Sequence, residues 1–376
     1  MRLLVLYQAR DATADQPGYY DGFERLTAEG QLQAHAAIPY RVVAEERGWQ
    51  ALWDDAESAA RDADAVLLQF FHSPMPDPGE RILRIRNLPN HPLIFASLGD
   101  PYGRWSHRVP RSFRVASRLA EASFLSGMGY VARQLLRSGG RNLVLMPLGC
   151  CQVRFSSAPA EPASNPEFDA CFVGSRISCR NPFSHFYPVS RRRAEFVAAF
   201  TKRYGRRFGL FGHGWEGNPA WQGAVPYLSQ LDVYRRSAVV LGGMPNALHD
   251  YYASDRPFIA IASGVPLLDY WVRGVDRILE PAHDWWLARD LKQMLGLCDR
   301  LLEMPSGERL RIGAAARERV LAHHTQYHRC EAMVEIMKSL LRARREGRLA
   351  PPPELNFLGR SHESESVSEA IAGWRG

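Results

Sequence analysis

The sequence predicts an α/β protein built of two Rossmann-like domains facing a cleft. Three observations carry that prediction. Short apolar runs alternate with amphipathic runs along most of the 376 residues, the pattern of parallel sheets covered by helices. A small, polar, proline-rich stretch from Ser156 to Pro166 has the composition of an interdomain linker. The alternation then restarts, and a chain of this length favours two domains.

In the first half, strands are expected at Arg2–Tyr7, Ala65–Phe71, Leu93–Leu98, Ala122–Ser126 and Leu143–Pro147. The apolar run at the N-terminus is too short for a signal peptide and lacks a small-residue cleavage site, so it reads as a first buried strand. Helices fit Asp54–Arg61, Pro78–Ile85, Val115–Glu121 and Tyr130–Arg137. Several strands end in polar or Gly/Pro-rich turns: His72-Ser73-Pro74, Gly99-Asp100-Pro101 and Gly149. Ligands of open α/β sheets bind beyond the carboxyl ends of strands, so these turns are where function is expected.

After the linker, Phe168–Val173 reads as a strand ending at Gly174-Ser175, and Arg193–Tyr204 as a helix. Phe208–Phe211 is a strand running into a glycine-rich turn. Leu228–Ser237 is a helix, Ala238–Leu241 a strand, Ser254–Ser263 a helix and Pro266–Leu268 a strand. Two or three helices follow between about Trp285 and Arg345. The domains read as 1–155 and 167–330, with a helix over 331–349 placed to pack back on the first. The tail from Ala350, with Pro351-Pro352-Pro353 and a polar run from Ser361 to Ser368, reads as loosely ordered.

Composition narrows the function classes. Hydrophobic residues are 46% and charged residues 23%, which excludes wholesale disorder. No stretch approaches the roughly 20 apolar residues of a spanning helix. The six cysteines are scattered without a CxxC pair, so a disulfide scaffold is not expected and a reducing cytoplasm is the natural compartment. His324 and His328 lie at i, i+4 but no HExxH surrounds them, and Asp62-Ala63-Asp64 spells DxD where a helix meets a buried strand; neither reads as a metal site. The net charge of +7 suits an anionic ligand such as a nucleotide, or an acidic membrane surface at the inner face of the cell. The dense basic clusters, Arg191-Arg192-Arg193 and Arg342 to Arg348, lack interleaved stacking aromatics and read as solvated helix ends rather than a nucleic-acid surface.

Two motifs stand out. Gly212-His213-Gly214-Trp215-Glu216-Gly217 is a literal GxGxxG after a strand, but no helix starts there, so it reads as a glycine-rich turn rather than a dinucleotide site. The segment from Ser254 to Leu267 is more informative. Ser254 is a good N-cap, Pro257 suits the first helical turn and Gly264 is placed to stop the helix. A helix N-terminus bearing Arg256 at a strand-end face is a sound diphosphate site.

The run Ser254-Asp255-Arg256-Pro257-Phe258-Ile259-Ala260-Ile261-Ala262-Ser263-Gly264-Val265-Pro266-Leu267 resembles the donor-site helix of GT-B glycosyltransferases, especially the CgeB-like relatives of family 4. Ala316 to Thr325, followed by His328-Arg329, is similar to their C-terminal helix signature. Phe172-Val173-Gly174-Ser175 and Gly209 to Trp215 are similar to strand-and-turn units of their nucleotide-binding domain. The resemblance spans roughly Asp169 to Met337, and the first half matches in architecture alone. It breaks at Ile259, where relatives carry a glutamate that hydrogen-bonds the nucleotide ribose. It breaks again at Tyr251, eight positions earlier, where the other carboxylate of the E-x7-E pattern is missing.

The resemblance implies a metal-independent, retaining transfer of sugar from a nucleoside-diphosphate donor to a glycan or lipid-linked acceptor in polysaccharide biosynthesis, with no further cofactor. Donor contacts would come from Gly174, Ser175, Arg176, Arg180, Gly212, His213, Gly214, Ser254, Asp255 and Arg256, with His249 and Asp250 offering polar groups in place of the missing glutamate. His72 and Asp100, after first-domain strands, are the candidates to orient or deprotonate the acceptor hydroxyl. Tyr20, in a presumed loop after the first strand, and Tyr102 and Trp105 are candidates to stack on the acceptor. The alternative is a catalytically silent relative that binds nucleotide or glycan. A nucleotide-sugar epimerase or dehydrogenase is disfavoured, since there is no early glycine fingerprint and no well-placed YxxxK dyad.

Overall fold

The computed structural model describes residues 1–70, 75–103, 106–156, 162–184, 186–243 and 249–348. His72, Trp105, most of the tail and linker residues 157–161 lie outside the described residues. The chain divides into two units. Unit 1 comprises Met1–Tyr102, Arg108–Leu148 and the chain from Gln326; unit 2 comprises Gly103–His107 and Gly149–Thr325.

Unit 1 runs β1 (Arg2–Tyr7), α1 (Ala12–Asp15), α2 (Pro17–Ala28), β2 (Ala34–Pro39), α3 (Tyr40–Ala60), β3 (Ala65–Phe70), α4 (Gly79–Arg86), β4 (Leu93–Leu98), α5 (Arg111–Leu119), β5 (Ala122–Leu125), α6 (Tyr130–Arg137) and β6 (Leu143–Leu145). Unit 2 runs α7 (Gln152–Phe155), β7 (Phe168–Val173), α8 (Phe186–Tyr204), β8 (Phe208–Phe211), α9 (Gln230–Arg235), β9 (Ser237–Leu241), α10 (Asp255–Ala262), β10 (Leu267–Tyr270), β11 (Trp286–Ala288), α11 (Leu291–Glu303) and α12 (Ser306–His323). The last helix, α13 (Gln326–Arg345), belongs to unit 1.

Both sheets are parallel, ordered β2-β1-β3-β4-β5-β6 and β11-β10-β9-β7-β8. Each unit is thus Rossmann-like, with its second strand outside the first and the later strands added on the other side. The winding direction changes between β1 and β3 in unit 1 and between β7 and β9 in unit 2, the places where such sheets open a crevice at their carboxyl ends.

Strands covered on both faces are mostly apolar along their length, as in β3, Ala-Val-Leu-Leu-Gln-Phe, where all six residues are buried and Gln69 is the one polar member. On one face of the unit 1 sheet, Leu3, Val5, Leu67 and Phe95 pack against Phe23 and Leu26 of α2 and Met333, Val334 and Met337 of α13. The α2/α13 contact is close enough that a Cβ on Gly22 would sit 2.8 Å from Cys330 Sγ and 3.2 Å from the Tyr327 Cα. In unit 2, Phe172, Phe196, Phe200, Phe208, Leu210 and Val239 form the corresponding core with Met294, Cys298 and Leu301 of α11.

The structure corrects several element boundaries. α3 starts at Tyr40 rather than near Asp54; Gly48, at φ 85° and ψ 165°, interrupts it and hides its first half from a periodicity reading. β2 was not expected, since Ala-His-Ala-Ala-Ile-Pro is a half-buried edge strand with only one of the branched residues that mark central strands. Tyr20 lies within helix α2, not in a loop, and packs on the rings of Tyr7 and His35. The unit boundary falls at Leu148/Gly149, ahead of residue 155. There the chain pairs with the end of α12: Cys150 N–H donates to the His324 carbonyl at 2.9 Å, and only glycine fits at 149, where a Cβ would lie 2.7 Å from the Thr325 carbonyl carbon.

Two outcomes test this packing. Gly22→Ala forces α2 away from α13, and urea unfolding should show a loss of about 1–3 kcal/mol. His35 of β2 is enclosed by Tyr7, Tyr20 and Phe23, and burial holds its imidazole below the ordinary value of 6.5 against the opposing pull of Glu24, whose Oε1 lies 2.7 Å from Nδ1. The unfolded chain therefore binds that proton more tightly, so stability is lost as pH falls below 6.5. Thermal melts of His35→Gln should lack that part of the acid dependence.

Candidate anion-binding site

The first turn of α10 meets the ends of β9 and β10. Ser254 occupies the N-cap with extended backbone (φ −69°, ψ 180°), and its side chain makes no capping hydrogen bond. Asp255 Oδ2 accepts from the Tyr227 hydroxyl at 2.8 Å; burial, followed by this carboxylate, pushes the hydroxyl's pKa upward. Arg256 follows. Its Nη1 is enclosed and has no hydrogen-bond partner among the described residues.

Arg256 lines a recess of about 410 Å3, counted with its open mouth, together with Ser254, Tyr252, Asp269, Tyr270 and Trp285. Asp269 is buried at the end of β10. It fits only because residue 242 is glycine: a Cβ there would lie 2.0 Å from the carboxyl carbon. Trp285 is 1% exposed, and its indole N–H likewise has no partner among the described residues.

A second guanidinium lies behind the first. Arg193 of α8 is 4% exposed, and its Nη1 donates to the Ser175 carbonyl at 2.7 Å. Burial pushes its pKa down to about 10; the positive charge of Arg256 adds to that, while Asp269 opposes it. Two arginines and the Asp269 carboxylate thus share the ends of β7, β9 and β10, with the Asp255 carboxylate beside Arg256, so opposite charges gather in a partly dry place. Such a place fits a bound anion.

The glycine-rich turns have a different job. Gly174 N–H donates to the Phe211 carbonyl at 2.8 Å and Gly212 N–H to that of Gly223 at 2.9 Å. Gly214 N–H is taken by the Glu216 carboxylate at 2.9 Å. Arg176 N–H donates to the His213 carbonyl at 2.8 Å, while the indoles of Trp215 and Trp221 donate to the Gly174 and Gly212 carbonyls, both at 2.8 Å. A Cβ at Gly212 (φ +128°) would sit 2.6 Å from the Gly174 carbonyl. This corrects the reading of Gly174, Gly212 and Gly214 as donor contacts: their amides are already bonded to Phe211, Gly223 and Glu216. The glycines answer a close backbone approach.

The remaining candidates are scattered more widely. Arg176 lies over the Trp215 ring at 5.8 Å, and Ser175, Arg176, Arg180 and His213 are exposed. His249 is buried and packs edge-on against Tyr252 at 6.0 Å. In unit 1, Asp100 follows β4 and bears electrostatically on Tyr102. Tyr102 is 2% exposed, so it cannot present a ring to a sugar; aromatic side chains near a turn are as often its anchor. Among the described residues no group of three or more His, Cys, Asp or Glu is placed to hold a metal ion. His324 packs on Phe258, and Asp64 accepts from Arg2 N–H and pairs with Arg345.

Arg193, Asp269 and Trp285 were missed by the sequence reading. Arg193 had a legible signal: Val189, Arg193, Phe196, Val197 and Phe200 are one buried helix face, so its spacing separates it from the solvated Arg191 and Arg192. Asp269 is the one acid in an otherwise apolar strand, Leu-Leu-Asp-Tyr. Trp285 carries no local signal.

Residues 191–335 match the family model described as Glycosyl transferase-like. No curated protein sequence matches the chain. Among solved structures, the chain is similar to HepE of Anabaena in complex with UDP and glucose (12% identity, 90% of this chain and 100% of that one, TM-score 0.55). It is also similar to a glycosyltransferase from Rickettsia africae (12%, 90% and 98%, TM-score 0.58) and to sucrose-phosphate synthase from Thermosynechococcus elongatus (12%, 91% and 100%, TM-score 0.57). The fold is GT-B, and residues 191–335 are similar to a glycosyl transferase-like domain.

The charge arrangement has a measurable consequence. Asp269→Asn takes the carboxylate from beside one buried and one half-buried guanidinium and should cost on the order of 3 kcal/mol in urea unfolding. Adding Arg256→Met should recover much of that loss. Additive effects in the double-mutant cycle would show that Arg256 and Asp269 do not interact.

Proposed function

We propose that the chain moves a sugar from a nucleoside-diphosphate donor to a glycan or lipid-linked acceptor, with the diphosphate held at the start of α10. The observation that carries this is the enclosed Nη1 of Arg256, without a hydrogen-bond partner among the described residues, at a helix N-terminus where the Ser254 side chain makes no capping bond. On this reading the first-turn N–H groups and Arg256 take the phosphate oxygens, and Arg193 adds charge from behind while keeping its bond to Ser175.

Breaking the glycosidic bond to the donor leaves negative charge on the diphosphate. Fixed guanidiniums and a helix dipole stabilise that charge in place of a divalent metal. Asp269 and the indole N–H of Trp285 offer an acceptor and a donor for ligand hydroxyl and carbonyl groups in the same recess. Arg176 and Arg180, exposed after β7, remain candidates for the outer phosphate oxygens. Asp100 and His72 keep the role of orienting the acceptor hydroxyl, and retention of configuration follows from the resemblance. HepE is described with UDP and glucose, which makes UDP the first ligand to try.

One observation favours the silent alternative. Ile259 is buried in the core of α10, so the position that carries a glutamate in relatives contributes no polar group here. Asp269 is the carboxylate that the recess offers instead.

Calorimetry with UDP, GDP, dTDP and CMP tests the site. One diphosphate should bind, and Arg256→Ala should weaken it at least about tenfold, the loss expected for a charge-assisted hydrogen bond. Unchanged affinity removes Arg256 from the site. Binding without sugar release or transfer, across donors of the same base, selects the silent relative.

A further inference from the structure

We propose that the turn after β7 and the first turns of α8 form a docking surface for an anionic lipid bilayer. Between Asp169 and Glu195 the sequence carries five arginines and no carboxylate. Arg193 is committed inside unit 2, which leaves Arg176, Arg180, Arg191 and Arg192 exposed. Arg191 reaches Glu195 at 3.6 Å, but both are exposed and such a pair yields easily to a competing phosphate.

The same segment holds two aromatic rings out of the protein. Phe183 is 76% exposed, the highest value among the large hydrophobic residues described, and Phe186 is 41% exposed. Pro182 and Pro188 beside them are exposed as well. The rings do not hang on a loose loop. Phe183 N–H donates to the Asn181 side chain at 2.9 Å, Ser184 N–H to the Asn181 carbonyl at 3.1 Å and Phe186 N–H to the Ser184 hydroxyl at 3.3 Å. The Ser106 hydroxyl donates to the Phe183 carbonyl at 3.4 Å, and the His107 ring lies 5.8 Å from that of Phe186. A tip fixed in this way has already lost the conformational freedom that insertion would otherwise cost.

Apolar rings at a tip, surrounded by guanidiniums, fit the boundary of a bilayer: the rings enter the headgroup layer and the arginines meet lipid phosphates. Single-stranded nucleic acid also takes arginines and aromatics, but along a groove with successive stacking platforms. Here the rings project from one turn. No helix among the described residues is long and apolar enough to cross a membrane, so the contact proposed is peripheral.

Arg176 and Arg180 are shared with the donor reading, so the test rests on Phe183, Phe186, Arg191 and Arg192, and vesicle sedimentation of the full chain carries it out. The chain should partition onto mixed phosphatidylcholine–phosphatidylglycerol vesicles and not onto pure phosphatidylcholine, with binding that weakens as salt rises. Phe183→Ser with Phe186→Ser should lower the partition coefficient at least about tenfold. Arg191→Glu with Arg192→Glu should do the same and flatten the salt dependence. Both pairs should keep the parent melting temperature and nucleotide affinity. Absence of binding to the mixed vesicles, or undiminished binding by both variant pairs, overturns the proposal. Tighter retention on single-stranded DNA than on the vesicles overturns it in favour of nucleic acid.

Discussion

Two guanidiniums and a buried carboxylate confined to one end of a parallel sheet are the constraint around which unit 2 is organised. A domain that had only to be stable would fill such a place with apolar side chains, since breaking even with a buried ion pair is difficult and an excess charge is worse. Arg193 nevertheless sits on the apolar face of α8 at the cost of its usual proton affinity. The neighbouring backbone is cut to fit it: Gly242 leaves room for Asp269, and the Ser175 carbonyl turns to accept from Arg193. Several positions are therefore subordinate to one electrostatic arrangement that an anion would complete.

The place of that arrangement follows from topology. In the order β8-β7-β9-β10-β11 the connections leave β7 and β9 to opposite sides, so their carboxyl ends are not roofed by a common helix. Gly174 follows β7, and Gly242 and Gly243 follow β9; residues without side chains stand at the two edges of the opening. Unit 1 repeats the order with β1 and β3, yet there the sheet end carries Gln69 and Tyr7 rather than paired arginines. The same scaffold thus carries paired arginines at the sheet end of unit 2 and, among the described residues, the uncharged Gln69 and Tyr7 in unit 1, a difference of side chains.

What could be read from the sequence divides along physical lines. Strands buried on both faces announce themselves, and β1, β4, β7 and β8 begin and end where their apolar runs do. Edge strands β2 and β11 lack that signature because solvent replaces half of their neighbours. The start of α10 was legible because caps, prolines and glycines act locally. Arg193 and Asp269 were not read, because their meaning lies in being near each other across 76 residues of chain. The aromatic candidates failed differently: Tyr102 is an anchor and Tyr20 a helix face, since an aromatic residue near a strand end has no sequence mark that tells a buried ring from an open one. The literal GxGxxG shows the same limit. Glycine recurs there because Gly174 and Gly212 nearly touch, and a steric requirement between two turns leaves the same letters as a phosphate cradle.

On the transfer reading, the balance of charge also bears on which state of the reaction is favoured. A nucleotide sugar carries two phosphate charges, and the departing nucleoside diphosphate gains another as the bond to the sugar breaks. Asp269 offsets part of the field of Arg193 and Arg256, so the recess is moderately rather than strongly positive. A strongly positive site would hold donor and departing product alike, and uniform binding does not accelerate the bond-breaking step. A carboxylate in the recess lowers the positive potential and so works against the added charge of the leaving group more than against the ground state. On this reading Arg193 and Arg256 carry the departing charge, and Asp269 is placed to accept from an uncharged, hydroxyl-bearing part of the ligand rather than to face the diphosphate.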